Sequence, residues 1–228
     1  MSVTPPRIFV TGISTEVGKT VASAVLVRAL KADYWKPIQC GDLHDLECEK
    51  VLAWADCTES MAHPSRYLLE HPMSPHAAAQ RSGLTLALGD FVRPNPTKTL
   101  VIEGAGGVLV PLNDTDTVAD LIQPGDQVVV VSRHYLGSIN HSLLTAEVLR
   151  AREIQGFWVF NGDPNPETES VILSKTGWPF LGRLLPEPLI DAACIARYAQ
   201  DWGDRWAQIT AAPTVSDTKW RSSKVWSN

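Results

Sequence analysis

Apolar runs of strand length alternate with segments of helical period along most of the chain. Ile8-Phe9-Val10 predicts a strand over Arg7–Thr11, and Val21, Ala24, Val25 and Ala29 predict a helix from about Gly18 to Lys31. A short second strand is expected over Tyr34–Ile38, then a polar turn over Gln39–Asp45 and a helix over Leu46–Ala55. Cys57–Pro75, broken by Pro64, Pro72 and Pro75, is expected to be irregular. Ser74-Pro75-His76 opens a small-residue helix, because proline suits the first helical position. Another helix is expected over Thr85–Arg93 and a loop over Pro94–Lys98. Thr99–Ala105 reads as a buried strand and Thr115–Ile122 as a short helix stopped by Pro124-Gly125. Gln127–Arg133 is the most apolar strand and is expected at the centre of the sheet. A helix to about Glu153, a strand over Phe157–Asn161, a helix over Glu167–Lys175, a strand over Phe180–Leu185 and a helix over Leu189–Gln200 complete the pattern. Residues 210–228 are polar, with isolated Trp220 and Trp226, and read as a mobile tail after a single domain over 1–209.

This alternation predicts an α/β fold, a parallel sheet flanked by helices on both faces. Ligands of such sheets bind outside the carboxyl ends of the strands. Gly12, Lys36, Glu103, Arg133 and Asn161 all fall at those ends.

The first of these ends carries the strongest chemistry. Thr11–Thr20 reads TGISTEVGKT between the first strand and the first helix, the place of a phosphate-binding P-loop. Glycine lets the backbone approach phosphate oxygens, and free N–H groups at the helix start face the anion. Lys19 would bridge the terminal phosphates and Thr20 would hold Mg²⁺. Five residues separate Gly12 from Gly18, one more than in the common motif, so the loop carries Thr15 and Glu16 over the phosphates.

Composition narrows the class. The 228 residues are 44% apolar and 20% charged, ordinary for a globular protein. A net charge of −5 gives no basic footprint for nucleic acid. No apolar run reaches the ~18 residues of a membrane span, and Met1–Pro6 lacks the pattern of a secretory signal. Cys40, Cys48, Cys57 and Cys194 show no C-x-x-C spacing and read as reduced thiols of a cytoplasmic protein.

Other candidates surround the loop. Glu103 ends an apolar strand where a carboxylate can hold Mg²⁺, and Gly104-Ala105-Gly106-Gly107 permits close backbone approach. Lys36 can stabilise negative charge that develops during transfer. Asp42, Asp45 and Glu47 form an acidic cluster, any one of which can be a second metal carboxylate. Ser138-Ile139-Asn140-His141 starts a helix whose free N–H groups suit a carboxylate. Asn161 can read adenine through its two-sided amide. An Asn-Lys-x-Asp motif for guanine is absent, which favours ATP.

Taken in order, GISTEVGKT, YWKPIQCGD at Tyr34–Asp42, SPHAAA at Ser74–Ala79, VIEGAGG at Val101–Gly107, LGSINHSLLTA at Leu136–Ala146 and Asn161 resemble the dethiobiotin synthetases. The resemblance spans about Arg7 to Gln200, and that family has the longer P-loop. It implies a P-loop homodimer that uses ATP and Mg²⁺ to carboxylate 7,8-diaminononanoate with CO2 and close a cyclic urea. It implies catalytic roles for Lys19, Lys36 and Thr15. Nucleotide contacts are implied at Glu16, Val17, Gly18, Lys19, Thr20, Val21, Glu47, Glu103, Gly104, Ala105, Gly106, Asn161, Pro186, Glu187 and Pro188. Metal ligation is implied at Thr20, Glu47 and Glu103. Substrate contacts are implied at Cys40, and at Ser138, Ile139 and Asn140 from the neighbouring subunit. Three positions depart from the family. Ile13-Ser14 stands where Thr-Asp is usual, Cys40 replaces a small hydroxyl residue, and the metal-binding Asp is matched by Glu47, with Asp45 the near alternative. A partner-binding ATPase switch and a small-molecule kinase are the competing readings.

Overall fold

The structure, a computed structural model, describes residues 5–58 and 60–211. Its strands and helices are β1 (Arg7–Gly12), α1 (Lys19–Leu30), β2 (Asp33–Trp35), β3 (Ile38–Cys40), α2 (Glu47–Ala55), β4 (Ala62–His63), β5 (Tyr67–Leu69), α3 (Pro75–Arg81), β6 (Leu100–Gly107), β7 (Gln127–Arg133), α4 (Ser138–Ala151), β8 (Gly156–Asn161), α5 (Pro166–Thr176), β9 (Phe180–Leu184) and α6 (Ala192–Ala211).

A seven-stranded parallel sheet runs β4-β2-β6-β1-β7-β8-β9. β1, not β7, takes the middle, with β7 beside it. The crossover through α1 runs toward the β4 edge, and those through α4 and α5 run toward the β9 edge. Right-handed crossovers in opposite directions put α1 and the α4/α5 pair on opposite faces. α2 and α6 pack against α1 and share its face. The reversal of direction falls at β1, and the P-loop follows that strand, so the loop sits at the switch point of the sheet.

Several other sequence expectations change. The strand expected over Tyr34–Ile38 is two strands: β2 ends at Trp35, and β3 pairs with β5 in a separate two-stranded sheet. Pro37 lies between them and has no N–H for a ladder. The segment Cys57–Pro75 holds β4 and β5, too short to show periodicity. Thr85–Arg93 is irregular apart from one 3-10 turn at Leu88–Asp90; Leu86 and Phe91 are buried while Leu88 faces solvent. The Thr115–Ile122 helix is likewise a 3-10 turn, Val118–Leu121, closed by a Thr117–Asp120 capping box.

α6 continues past Gln200 to Ala211, so Thr210 is helical and not the start of a tail. Trp202 and Trp206 on this extension are buried. Gly182 in β9 makes room for Trp202, because a Cβ there would lie 2.1 Å from the indole nitrogen. Residues 212–228, including Trp220 and Trp226, lie outside the described residues. Among the described residues no helix is long and apolar enough to cross a membrane.

Candidate active site

The P-loop turns sharply from β1 into α1. Gly18 adopts φ 100°, and a Cβ there would meet the Asn161 amide nitrogen at 2.6 Å. A Cβ on Gly12 would meet Val17 Cγ2 at 2.5 Å. Both glycines are therefore required by conformation or space. Glu16 also takes a left-handed conformation, φ 54°, which costs a non-glycine residue energy and fixes the crown of the loop.

Lys19 is almost buried, and its Nζ donates to the Ser14 carbonyl at 3.2 Å. Burial lowers its pKa from 10.5 to about 8; Glu103 and Glu47 oppose the shift and Lys36 adds to it. Thr20, next in the chain, donates its hydroxyl to Glu103 Oε1 at 3.0 Å. Its Oγ1 also lies 3.5 Å from Glu47 Oε1.

Glu103 is the hub. It is 1% exposed, at the end of the fully buried run Leu100–Ile102. Oε1 accepts from Lys36 Nζ at 3.1 Å as well as from Thr20, and Oε2 accepts from the Tyr34 hydroxyl at 2.9 Å. Burial disfavours its charge, but Lys36 and Lys19 outweigh that and hold the carboxyl below its ordinary pKa. Burial likewise opposes charge on Lys36, yet Glu103 and Glu47 together keep its ammonium above the ordinary lysine value. Lys36 thus bridges two carboxylates, Glu103 and Glu47. Asp45, by contrast, is 69% exposed in its side chain and pairs with Lys50 at 2.5 Å.

A cavity of about 1100 Å³ joins these groups. Thr15, Glu16, Lys19, Thr20, Val21, Lys36, Cys40, Glu47, Glu103, Ala105 and Gly106 line it. Its far wall is α4, through His141, Leu144 and Thr145. Ser138, Ile139 and Asn140 do not reach the cavity of their own chain; Ser138 is buried and the other two are exposed. Gly104 faces the core, where a Cβ would meet Phe9 Cε1 at 3.0 Å, so packing explains that glycine. Asn161 stands on the other side of the P-loop and donates Nδ2 to the Val17 carbonyl at 2.8 Å. Its Oδ1 is left to accept a further bond. The Pro186-Glu187-Pro188 turn follows β9 on that side, tied to α6 where Glu187 accepts from Tyr198 at 2.5 Å and from Arg197 at 3.0 Å.

A family model described as an AAA domain matches residues 6–193. The ATP-dependent dethiobiotin synthetase BioD of Christiangramia forsetii is 47% identical over 206 residues, 90% of this chain and 100% of that protein. The protein of the same name from Cytophaga hutchinsonii is 47% identical over 204 residues, 88% of this chain and 98% of that one. The chain belongs to the dethiobiotin synthetase family. A solved structure described as a plasmid partition protein from Borrelia burgdorferi, bound to AMPPNP, aligns with TM-score 0.56 over 91% of this chain and 100% of that one. At 11% identity that likeness shows the P-loop fold alone.

In this chain the departures noted in the sequence take definite positions. Ile13 is buried, and the Ser14 backbone rather than its side chain engages Lys19. Glu47 faces Thr20 and Lys36, whereas Asp45 faces solvent. Cys40 is half-buried on the cavity wall, and burial pushes its thiol up to about 11, with Lys36 opposing the rise. Such a thiol stays protonated at neutral pH. Tyr34 stands at the hub, and the sequence reading gave it no role. Its signal was present: Tyr34 and Lys36 are two apart, and side chains at that spacing share a face in extended chain.

Proposed function

We propose that this protein is an ATP-dependent cyclo-ligase that carboxylates 7,8-diaminononanoate with CO2 and closes it to dethiobiotin, using Mg²⁺. The observation that carries the reading is the convergence of Lys19, Thr20, Lys36, Glu47 and Glu103 on one cavity at the strand ends, in a chain of this family.

An amine of the substrate attacks CO2 and, on losing a proton, becomes a carbamate. A carbamate oxygen attacks the γ-phosphorus of ATP, and the bond to the ADP oxygen breaks. The second amine then attacks the carbonyl carbon of the mixed anhydride and loses its proton, and phosphate leaves with the ring closed. Lys19, with the loop N–H groups, holds the γ-phosphate and neutralises charge in transfer. Lys36 reaches the carbamate and the transferring group from beside Glu103. Thr15, exposed on the loop, supports the same phosphate. Asn161 and the Pro186-Glu187-Pro188 turn border the adenine.

Among the described residues no group of three or more His, Cys, Asp or Glu side chains forms a metal site by itself. Thr20, Glu103 and Glu47 offer one hydroxyl and two carboxylates, a hard-oxygen set that suits Mg²⁺ completed by nucleotide oxygens. The metal supplies charge neutralisation at the β- and γ-phosphates.

The active protein is a homodimer in this reading. Leu136, Ile139 and Leu144 expose apolar side chains beside Ser138–Asn140, and that surface would bring the helix start to the partner's cavity, where it receives the substrate carboxylate. The enzyme works in the cytoplasm, in keeping with four free cysteines.

Turnover with ¹⁸O-bicarbonate tests the chemistry. One labelled oxygen in the released phosphate and one in the urea is the expected result. Unlabelled phosphate would overturn the mixed-anhydride route.

A further inference from the structure

Glu103 has two carboxylate oxygens, and the protein treats them differently. Oε1 faces the P-loop side, where Thr20 and Lys36 donate to it at 3.0 and 3.1 Å. Oε2 turns away from these groups and accepts from the Tyr34 hydroxyl at 2.9 Å. Tyr34 is fully buried on β2, and its register with β6 pairs it with Val101, two residues before Glu103. Trp35 between Tyr34 and Lys36 points elsewhere, its indole N–H donating to the Pro64 carbonyl at 3.1 Å. One short stretch of chain therefore holds Glu103 with two side chains, one charged and one neutral.

These two contacts have different fates in the reaction. Lys36 cannot hold Glu103 and also follow the carbamate. The Tyr34 bond can persist through the cycle, because a phenol donates without adding charge and this one is buried and does not line the cavity. A phenylalanine would fill the same core volume, so the hydroxyl is explained by its acceptor rather than by packing. We propose that Tyr34 is a positioning residue, which fixes the orientation of Glu103 by holding Oε2 so that Oε1 stays presented to Thr20 and to the Mg²⁺ of the nucleotide. The proposal rests on the metal reading of Glu103 above.

The test is a two-by-two set: the full chain, Tyr34→Phe, Glu103→Ala and the double variant. Binding of AMPPNP is measured by calorimetry, with Mg²⁺ and with EDTA, alongside thermal unfolding. In the full chain Mg²⁺ should strengthen AMPPNP binding, and Glu103→Ala should remove most of that gain. Tyr34→Phe is expected to reduce the gain on the order of tenfold, the worth of a hydrogen bond to a charged acceptor. Binding in EDTA should hold, and in the Glu103→Ala background the same substitution should change nothing further. A loss in EDTA as large as that in Mg²⁺, or an equal loss with Glu103 absent, would make the hydroxyl merely structural and overturn the proposal. A Tyr34→Phe protein with the full Mg²⁺ gain would overturn it too. If Glu103→Ala itself keeps the Mg²⁺ gain, the metal reading fails, and the proposal fails with it. Should Tyr34→Phe not fold, Tyr34→Met is the second probe, read in the same way: an unchanged Mg²⁺ gain would overturn the proposal, and a loss confined to Mg²⁺ and absent in the Glu103→Ala background would support it.

Discussion

Lys36 Nζ lies 3.1 Å from Glu103 Oε1, and the Lys36 and Glu103 side chains are 7% and 0% exposed. A pair this deep does little for stability as a pair, but breaking it is costly, because the survivor is left as a buried charge. Lys36→Met should therefore destabilise the protein by about 3 kcal/mol. Lys36→Met/Glu103→Gln should recover much of that loss, since the amide can still accept from Tyr34. Urea unfolding of the wild type, Lys36→Met, Glu103→Gln and the double variant checks this; a double variant as unstable as the sum of the singles would contradict the coupling.

Lys19 predicts a pH dependence. It must be charged to hold phosphate, and burial leaves it with a pKa of about 8 before nucleotide arrives. AMPPNP affinity should be level below that pH and fall above it, approaching tenfold per pH unit as the free enzyme loses the proton. Bound phosphate raises the lysine pKa, so the bound complex keeps its charge to higher pH. Affinity unchanged from pH 7 to ~10, near the ordinary lysine pKa, would show that Lys19 does not titrate in this way.

The acidic cluster divides in two. Glu47→Ala should raise the Mg²⁺ concentration needed for half-maximal rate by about tenfold or more, the worth of a charge-assisted contact. Asp45→Ala should leave it unchanged, because Asp45 is occupied with Lys50 at the surface. Metal titrations of the steady-state rate decide, and the reverse order of effects would reassign the ligand.

Cys40 should be dispensable as a thiol. Its pKa of about 11 leaves no thiolate at neutral pH, and the nucleophiles of the proposed route belong to the substrate. Cys40→Ser should keep its rate and shift substrate affinity by ~1 kcal/mol, a single hydrogen bond. A fall of several orders of magnitude in kcat, in a folded protein that still binds nucleotide, would mean that sulfur takes part.

The P-loop was readable because its parts are local: strand, glycines, Gly-Lys-Thr and helix fall within one short stretch. Glu103 was readable for a similar reason, as an acid at the end of a buried strand. The hub around it was only half legible: the spacing puts Tyr34 and Lys36 on one face, but Tyr34 meets Glu103 through the pairing of β2 with β6, which joins Tyr34 to Val101 across the chain. β4 and β5 were missed because strands of two and three residues carry no period. Thr85–Arg93 was misread because Leu88 and Phe91, three apart, fit a helical spacing, while only Leu86 and Phe91 turn inward. The length of α6 was legible in retrospect: Trp202, Trp206 and Ile209 continue the helical spacing, although Asp201, Gly203 and Asp204 interrupt it.

The central claim is that one cavity couples ATP cleavage to carboxylation of a diamine. ADP release, followed with diaminononanoate, bicarbonate and Mg²⁺ each omitted in turn, tests it most directly. The account predicts rapid release only when all are present, with one dethiobiotin formed per ADP, and release near background when any one is missing or when Lys19→Ala replaces the wild type. ADP release at full rate without the diamine or without bicarbonate would contradict it and favour a nucleotide-driven switch.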